Sequence, residues 1–316
     1  MSSDNLCKIC KSELDNDQIP TQDLRFGIKE TFYYRNCKNC KVAQIYPNIS
    51  DLKLKSYYEK YYNSTEKKDG SRYLLIRSLI EKLGIIKLIN FIDGDISFHL
   101  RKGTGCLLEI GCNEGRNLDF FAKNGFEVEG LEINNSAAKI AKKLGYKIHN
   151  CYVGQLSKIK KYDVIVLANV LEHDNNPSNL LKTINLLLKP NGQLWISLPN
   201  YESIWKKIFG SLWINWHPPF HISHFNIASL ETLCLVNGLK ACNIKTVSPG
   251  LWFSMSALSF LYFKPGDVNT KLRKPIFLII FMTFFYVFLV PVKFLVDKRK
   301  KGDCIKGIFQ KCYEKN

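Results

Sequence analysis

Residues 106–115, CLLEIGCNEG, constrain this chain more than any other stretch. The apolar run Leu107, Leu108, Ile110 carries one acid, Glu109, and breaks at once into a turn bounded by Gly111 and Gly115. The segment NLDFFAKNG then reads as a helix that closes on Gly125. Buried strand, tight turn and helix in succession give the geometry that points main-chain N–H groups at a nucleotide-like ligand. A second strand, FEVEGLE, follows and ends on Glu132. A carboxylate at that tip is placed to accept hydrogen bonds from two ribose hydroxyls. A dinucleotide fingerprint would read G-x-G-x-x-G. Here Asn113 stands between the two glycines, so the loop is a poor pyrophosphate cradle.

The chain beyond this loop alternates between strand and helix patterns, as a parallel α/β sheet requires. Strands are predicted near 106–110, 126–131, 146–149, 162–168, 192–198 and 240–247, and helices near 115–124, 134–144, 178–188 and 227–237. Lys189-Pro190-Asn191-Gly192 reads as a turn. An apolar content of 46% is enough for a full core in a chain of 316 residues.

The front of the chain has a different logic. Cys7-x-x-Cys10 and Cys37-x-x-Cys40 are two knuckles whose thiolates complete a tetrahedral, all-cysteine zinc site. With every coordination position filled by protein, the site is expected to be structural. The polar start, MSSDNLCKICKSE, reads as lacking a secretory signal, so the 11 cysteines point to a reducing compartment rather than to disulfides. A helix cap signal at Asn48–Asp51 precedes tyrosines 57, 58, 61 and 62 at helical spacing. Residues 71–92 read as an amphipathic helix and 93–104 as a linker.

The stretch KYDVIVLANVLEHDNNPSNLLKTINLLLKPNGQLWISLPN, residues 161–200, resembles the central block of class I S-adenosylmethionine (SAM) methyltransferases of the ubiquinone-biosynthesis O-methyltransferase type. Residues 106–115 resemble that family's first motif, acidic-x-Gly-x-Gly-x-Gly, with Asn113 in place of the middle glycine. HISHFNIASLETLCLVNGLKAC, residues 221–242, resembles its later helix-and-strand unit, and 302–311 its final strand. The two knuckles, with Tyr46-Pro47 and the tyrosine-rich helix, resemble the zinc ribbon often fused in front. The resemblance implies an α/β, Rossmann-like seven-stranded methyltransferase sheet. It divides the chain into a zinc ribbon (1–48), a helical linker or lid (49–104), a SAM-binding core (105–250), an apolar segment (251–301), and a last strand and tail (302–316).

The resemblance also implies roles. Gly111, Asn113 and Gly115 would let the main chain approach the methionine part of SAM, Glu109 would sit near its ammonium, and Glu132 would hold the ribose diol. Ile133 and Cys151–Val153 would flank the adenine, and Ala168 would contact SAM at the fourth strand's end. Glu172, His173, His221 and His224 are candidate general bases for a hydroxyl acceptor. In the quinone enzymes a carboxylate, Glu and His bind a divalent ion. Here those positions are Asn169, Glu172 and His173, and the amide removes a charged ligand, which argues against magnesium dependence. The HPPF run, residues 217–220, is not the amino-methylating signature, because it follows the fifth strand instead of the fourth. It is read as a rigid loop within WINWHPPFHISHF, overhanging the substrate mouth.

The net charge of +17 is uneven: residues 264–316 hold twelve Lys/Arg against four Asp/Glu. Within them, PIFLIIFMTFFYVFLVPVKFLV (275–296) carries one charge, Lys293, between the basic clusters Lys271, Arg273, Lys274 and Lys298–Lys301. A helix apolar all round is buried in a core or in a membrane, and this core has little room for it. Residues 251–263 are apolar as well but too short to span. A re-entrant or interfacial membrane-associating insertion on the cytoplasmic side of a membrane is expected, its lysines and arginines on anionic lipid, with a single span as the alternative. The sequence therefore favours a SAM-dependent enzyme acting on a lipid-linked, glycan or quinone-like small-molecule acceptor. RNA is disfavoured as a partner, because the basic residues flank apolar runs. An RNA or protein methyltransferase and an inactive SAM-fold binding protein are the alternatives.

Overall fold

Parallel strands buried on both faces form the centre of the fold. A computed structural model describes residues 5–62, 84, 87–88, 92–157 and 160–312. Most of the expected 71–92 helix lies outside the described residues. In chain order the strands are β1 (Ile19–Gln22), β2 (Thr31–Asn36), β3 (Ala43–Tyr46), β4 (Cys106–Ile110), β5 (Glu127–Leu131), β6 (Lys147–His149), β7 (Tyr162–Ala168), β8 (Leu188–Pro199), β9 (Ser223–His224), β10 (Leu239–Val247) and β11 (Cys304–Lys311). They make a four-stranded sheet, β1-β2-β3-β9, and a seven-stranded mixed sheet, β10-β11-β8-β7-β4-β5-β6. The seven-stranded Rossmann-like expectation is met, and the final strand, 304–311, lies between β10 and β8.

The chain separates into two discontinuous units, one of Met1–Gly94, Pro199–Asn226 and Thr246–Cys304, the other of Asp95–Leu198, Ile227–Lys245 and Ile305–Asn316. In the second unit β4 is central, parallel to both β5 and β7. Leu107, Leu108 and Ile110 are buried, and Phe98, Phe121, Phe126 and Trp195 pack over Leu107. The helix Asn135–Lys143 starts on Asn134, whose side chain accepts from the amides of Ser136 and Ala137, and buries Ala137, Ala138 and Ala141. The helix Pro177–Leu187 starts on Asn176 with proline in its first turn. The KPNG turn survives as an irregularity inside β8: Leu188 pairs with Tyr162, and pairing resumes at Gln193–Val164.

In the first unit the antiparallel strands β1–β3 are extended by β9, with Ala43 opposite His224. The aromatic loop is part of a core here. Trp213, Ile214, Trp216, Phe220 and Ile222 are buried, and the Tyr34 hydroxyl donates to the His221 carbonyl at 2.6 Å. Two tryptophans and a phenylalanine carry too much apolar area to remain in solvent.

The apolar tail also differs from one straight helix. Helices Gly250–Tyr262, Pro275–Phe288 and Val290–Lys298 follow one another, and the last two meet at a 73° bend across Leu289. Pro291, just past the break, has no N–H to donate into the preceding turn, and its ring crowds that turn's carbonyl. Among the described residues no single helix is long and apolar enough to cross a membrane, although the bent pair together is.

Candidate active site

The turn after β4 is built from left-handed backbone. Gly111 (φ +72°), Asn113 (φ 50°) and Gly115 (φ +75°) all adopt it. At 113 asparagine serves where the family motif has glycine, because its short polar side chain tolerates this region better than most residues do. A Cβ at Gly111 would stand 2.8 Å from Val170 Cγ2, and one at Gly115 3.0 Å from the Ala141 Cβ. The turn therefore closes directly against its neighbours.

Glu132 ties the two strand tips together. Its Oε2 accepts from the Asn113 amide at 2.9 Å and its Oε1 from the Asn134 amide at 2.7 Å. Asn150 Nδ2 donates to the Glu132 carbonyl at 2.7 Å and to that of Ile133 at 3.3 Å. An ionised carboxylate has about four acceptor positions, so each oxygen keeps room for a ligand hydroxyl. Ile133, next in the chain, is 57% exposed, and Tyr152, two residues after Asn150, is 65% exposed.

Glu109 is buried beneath the turn. Asn117, at the start of the helix Leu118–Lys123, makes no side-chain cap; its Nδ2 donates instead to Glu109 Oε1 at 2.7 Å. Oε2 is buried and has no hydrogen-bond partner among the described residues. Burial pushes this carboxyl up to about 7, the Asn117 bond opposes the shift, and the charge of Glu132 adds to it. A buried acceptor without a donor matches a ligand ammonium, so the residues present fit SAM.

At the tip of β7, Ala168 pairs with Ser197, and Asn169 turns left-handed (φ 55°). Asn169 Oδ1 and Ser197 Oγ are buried and make no hydrogen bond among the described residues. Leu171–His173 forms one tight turn that buries Glu172. Burial pushes the Glu172 carboxyl up to about 8, against a smaller opposing pull from its own main chain.

The profile of a family described as "Methyltransferase domain" matches residues 85–243, half of the chain. The chain belongs to this methyltransferase family. Ubiquinone biosynthesis O-methyltransferase of Rickettsia akari (strain Hartford) is 30% identical over 156 residues, 48% of this chain and 61% of that protein. The protein of the same name from Nitrosospira multiformis is 27% identical over 115 residues, 34% of this chain and 48% of that one. The methyltransferase chain thus spans less than two thirds of these curated relatives. A solved structure, the 1,6-didemethyltoxoflavin-N1-methyltransferase of Burkholderia thailandensis, is a distant likeness at 12% identity and a TM-score of 0.48, covering 87% of this chain and 98% of that one.

The methyltransferase holds Glu109, Gly111, Asn113, Gly115, Glu132, Ile133, Ala168, Glu172 and His173 in its second unit. His221 and His224 belong to the first unit, both buried. His221 Nδ1 lies 2.7 Å from the Asn215 carbonyl, which fixes the proton on that nitrogen. The first unit also gathers Cys7, Cys10, Cys37 and Cys40, whose sulfurs all lie within 4.8 Å of one another. The two knuckles repeat the same bonds: Lys11 N to the Cys7 carbonyl and Lys41 N to the Cys37 carbonyl, with both lysines left-handed.

Sequence reasoning missed Asn117, Asn134 and Asn150, polar residues that orient the two acids. It also missed Glu129, buried on β5. Burial would raise that carboxyl, but hydrogen bonds from Lys160, His149, Tyr162 and Lys147 win and hold it at about 2. The only available signal was the alternation of FEVEGLE, which places Glu129 on an inner face.

Proposed function

We propose that this methyltransferase moves a methyl group from SAM to an oxygen of a lipid-linked, glycan or quinone-like small molecule at a membrane surface. The observation that carries the reading is the paired acids of the first two strand tips. Glu132 is already oriented by two main-chain amides, while Glu109 keeps one buried oxygen open. When bound, SAM supplies a methyl on a sulfonium, itself a good leaving group. The chain's work is alignment. Glu132 would accept from the ribose diol, Glu109 would face the ammonium, and Ile133 and Tyr152 would cover the adenine. Glu172, whose carboxyl burial pushes up to about 8, would in its ionised form take the hydroxyl proton of the acceptor. Oxygen as the methylated atom follows the O-methyltransferase names of the Rickettsia and Nitrosospira relatives.

The membrane part of the reading rests on the tail. Ile276, Ile279, Ile280, Val287, Phe288 and Phe294 are each more than half exposed. An apolar face of this size is rarely left to water. The one charge of the run, Lys293, is buried and paired with Asp297 at 2.8 Å. The insertion leaves the sheet after β10 and returns as the neighbouring strand β11. Both of its ends therefore stay on one side of a bilayer, which favours a re-entrant or interfacial hairpin over a single span. The four clustered cysteines suit a structural zinc ion: four thiols this close cannot all ionise without a cation among them.

Calorimetric titration with SAM, followed by transfer of labelled methyl to lipid extract or to total RNA, tests the reading. Saturable binding with label in the lipid fraction supports it. Label only in RNA overturns the acceptor class, and absence of SAM binding at saturating concentration overturns the enzyme.

A further inference from the structure

A small pocket lies in the second unit, and neither Glu109 nor Glu132 lines it. Its volume is about 80 Å³, and it is lined by Arg101, Asn243, Lys245, Lys306 and Ile308. None of these is acidic. Lys306, on β11, forms the floor: it is 8% exposed, its ammonium donates to the Asp95 carbonyl, and it lies 4.4 Å from the centre of the Phe98 ring. Arg101 is steadied by stacking over Trp195, 5.0 Å from its ring centre. Asn243 and Lys245 stand exposed on β10.

We propose that this pocket binds a phosphate group, carried by a lipid headgroup or free in solution. Three cations and an amide converge with no carboxylate among the lining residues. A guanidinium held flat by stacking presents a donor fork that matches phosphate oxygens. The volume is well below the roughly 300 Å³ at which drug-sized ligand pockets begin, so a small oxyanion fits and a nucleotide does not. The site is separate from the donor loop: from β4 to β10 the sheet order counts four strand spacings, about 19 Å at roughly 4.8 Å each. Asn243 and Lys245 sit on the strand that precedes the apolar insertion and Lys306 on the strand that follows it, which suits a headgroup contact. The proposal holds whether or not SAM binds.

The test uses the full chain and inorganic phosphate, with binding read by calorimetry. The double variant R101Q/K245Q is compared with K142Q/K143Q, which loses the same charge from the exposed end of the helix Asn135–Lys143. The site predicts phosphate binding weakened tenfold or more in R101Q/K245Q alone, with thermal unfolding unchanged. K306M, at the floor, should abolish binding, and its thermal melt reports whether it folds. Vesicles of phosphatidylcholine with phosphatidic acid are then added as competitor. Displacement assigns the phosphate to a lipid headgroup, and undiminished binding assigns it to free phosphate; either outcome supports the site. Equal loss in both double variants, or no saturable binding by the unmodified chain, overturns it.

Discussion

Replacing Glu132 by glutamine changes one oxygen for an NH2 group and tests the paired-acid reading at its most exposed joint. Both carboxylate oxygens accept main-chain N–H bonds, from Asn113 at 2.9 Å and Asn134 at 2.7 Å. Glutamine can satisfy only one of them and turns a donor toward the other. A charge-assisted hydrogen bond is worth about 1.5–3 kcal/mol, and a buried donor left unpaired costs about 1–3 kcal/mol. The carboxylate lies near the surface, at 9% exposure, so water recovers part of the second cost. Stability should fall by roughly 2–4 kcal/mol. The new amide can still accept from one ribose hydroxyl and donate to the other, so SAM binding should lose the charge assistance alone. That loss is roughly 1.5–3 kcal/mol, or about ten- to 150-fold in Kd. Titration calorimetry with SAM and a thermal melt read the two effects separately. A Glu132→Gln chain that binds SAM within twofold of the unmodified one, with an unchanged melt, would refute both the ribose role and the tethering argument.

Three further outcomes follow from the geometry. Glu172→Gln should remove the rise in kcat with pH centred near 8 that a buried base deprotonating at about 8 imposes; a pH–rate profile that keeps this limb in the variant excludes Glu172 as the base. Cys37→Ser, or chelation, should release one zinc per chain by metal analysis and make residues 5–46 sensitive to protease while SAM binding persists, because the residues assigned to SAM all lie in the other unit; undiminished protection without metal would count against a structural ion. Asp303 should make stability fall as pH rises. Burial raises its carboxyl to about 7, against opposing bonds from Ser203 and Trp213, so the native state holds a proton that the unfolded chain, at about 3.9, has already lost. The contribution is complete below about pH 4 and is lost as pH climbs through 7, roughly 4 kcal/mol in order of magnitude. Asp303→Asn should flatten the dependence of melting temperature on pH across that window, and an unchanged slope would exclude this origin.

Where sequence was enough, the relevant physics was local. β4 and β7 fall on the residues expected, 106–110 and 162–168, because unbroken apolar runs ending in turn residues leave little choice of boundary. Glu109 and Glu132 were visible as acids inside or at the end of apolar strands, where a charge demands a reason. The polar residues that position them were not. Asn117 looks like any helix cap, and nothing in its neighbourhood says that its amide will be spent on Glu109. The composition of the first unit was equally hidden. Its sheet is completed by β9, whose partner Ala43 lies 181 positions earlier, and local periodicity carries no trace of such pairings. The aromatic loop shows the same limit: it reads as a rigid loop, and nothing local says which side chains it packs against.

The apolar insertion joins these threads. Sequence marked it as a run with a single charge, and a straight helix would have carried that charge into lipid or forced a span. The break at Leu289 sets a new axis for Val290–Lys298. From there Lys293 reaches inward to Asp297, whose carboxylate also accepts from the Ser248 hydroxyl at 2.6 Å. One helix earlier, Tyr286 and the Gly250 amide both donate to Asp93. These polar groups thus gather on the inner side of the hairpin and leave Ile279, Ile280, Val287, Phe288 and Phe294 outside. Removing the inward pair should therefore damage folding more than membrane binding, and changing the outer face should do the reverse. Phe288→Asp with Phe294→Asp should abolish flotation with anionic vesicles while the thermal melt holds. Lys293→Ala, which leaves the half-buried carboxylate of Asp297 without its cation, should lower stability by up to about 3 kcal/mol, read as a fall in the thermal melt. If the aspartates leave flotation intact, the outer face is covered by protein rather than lipid.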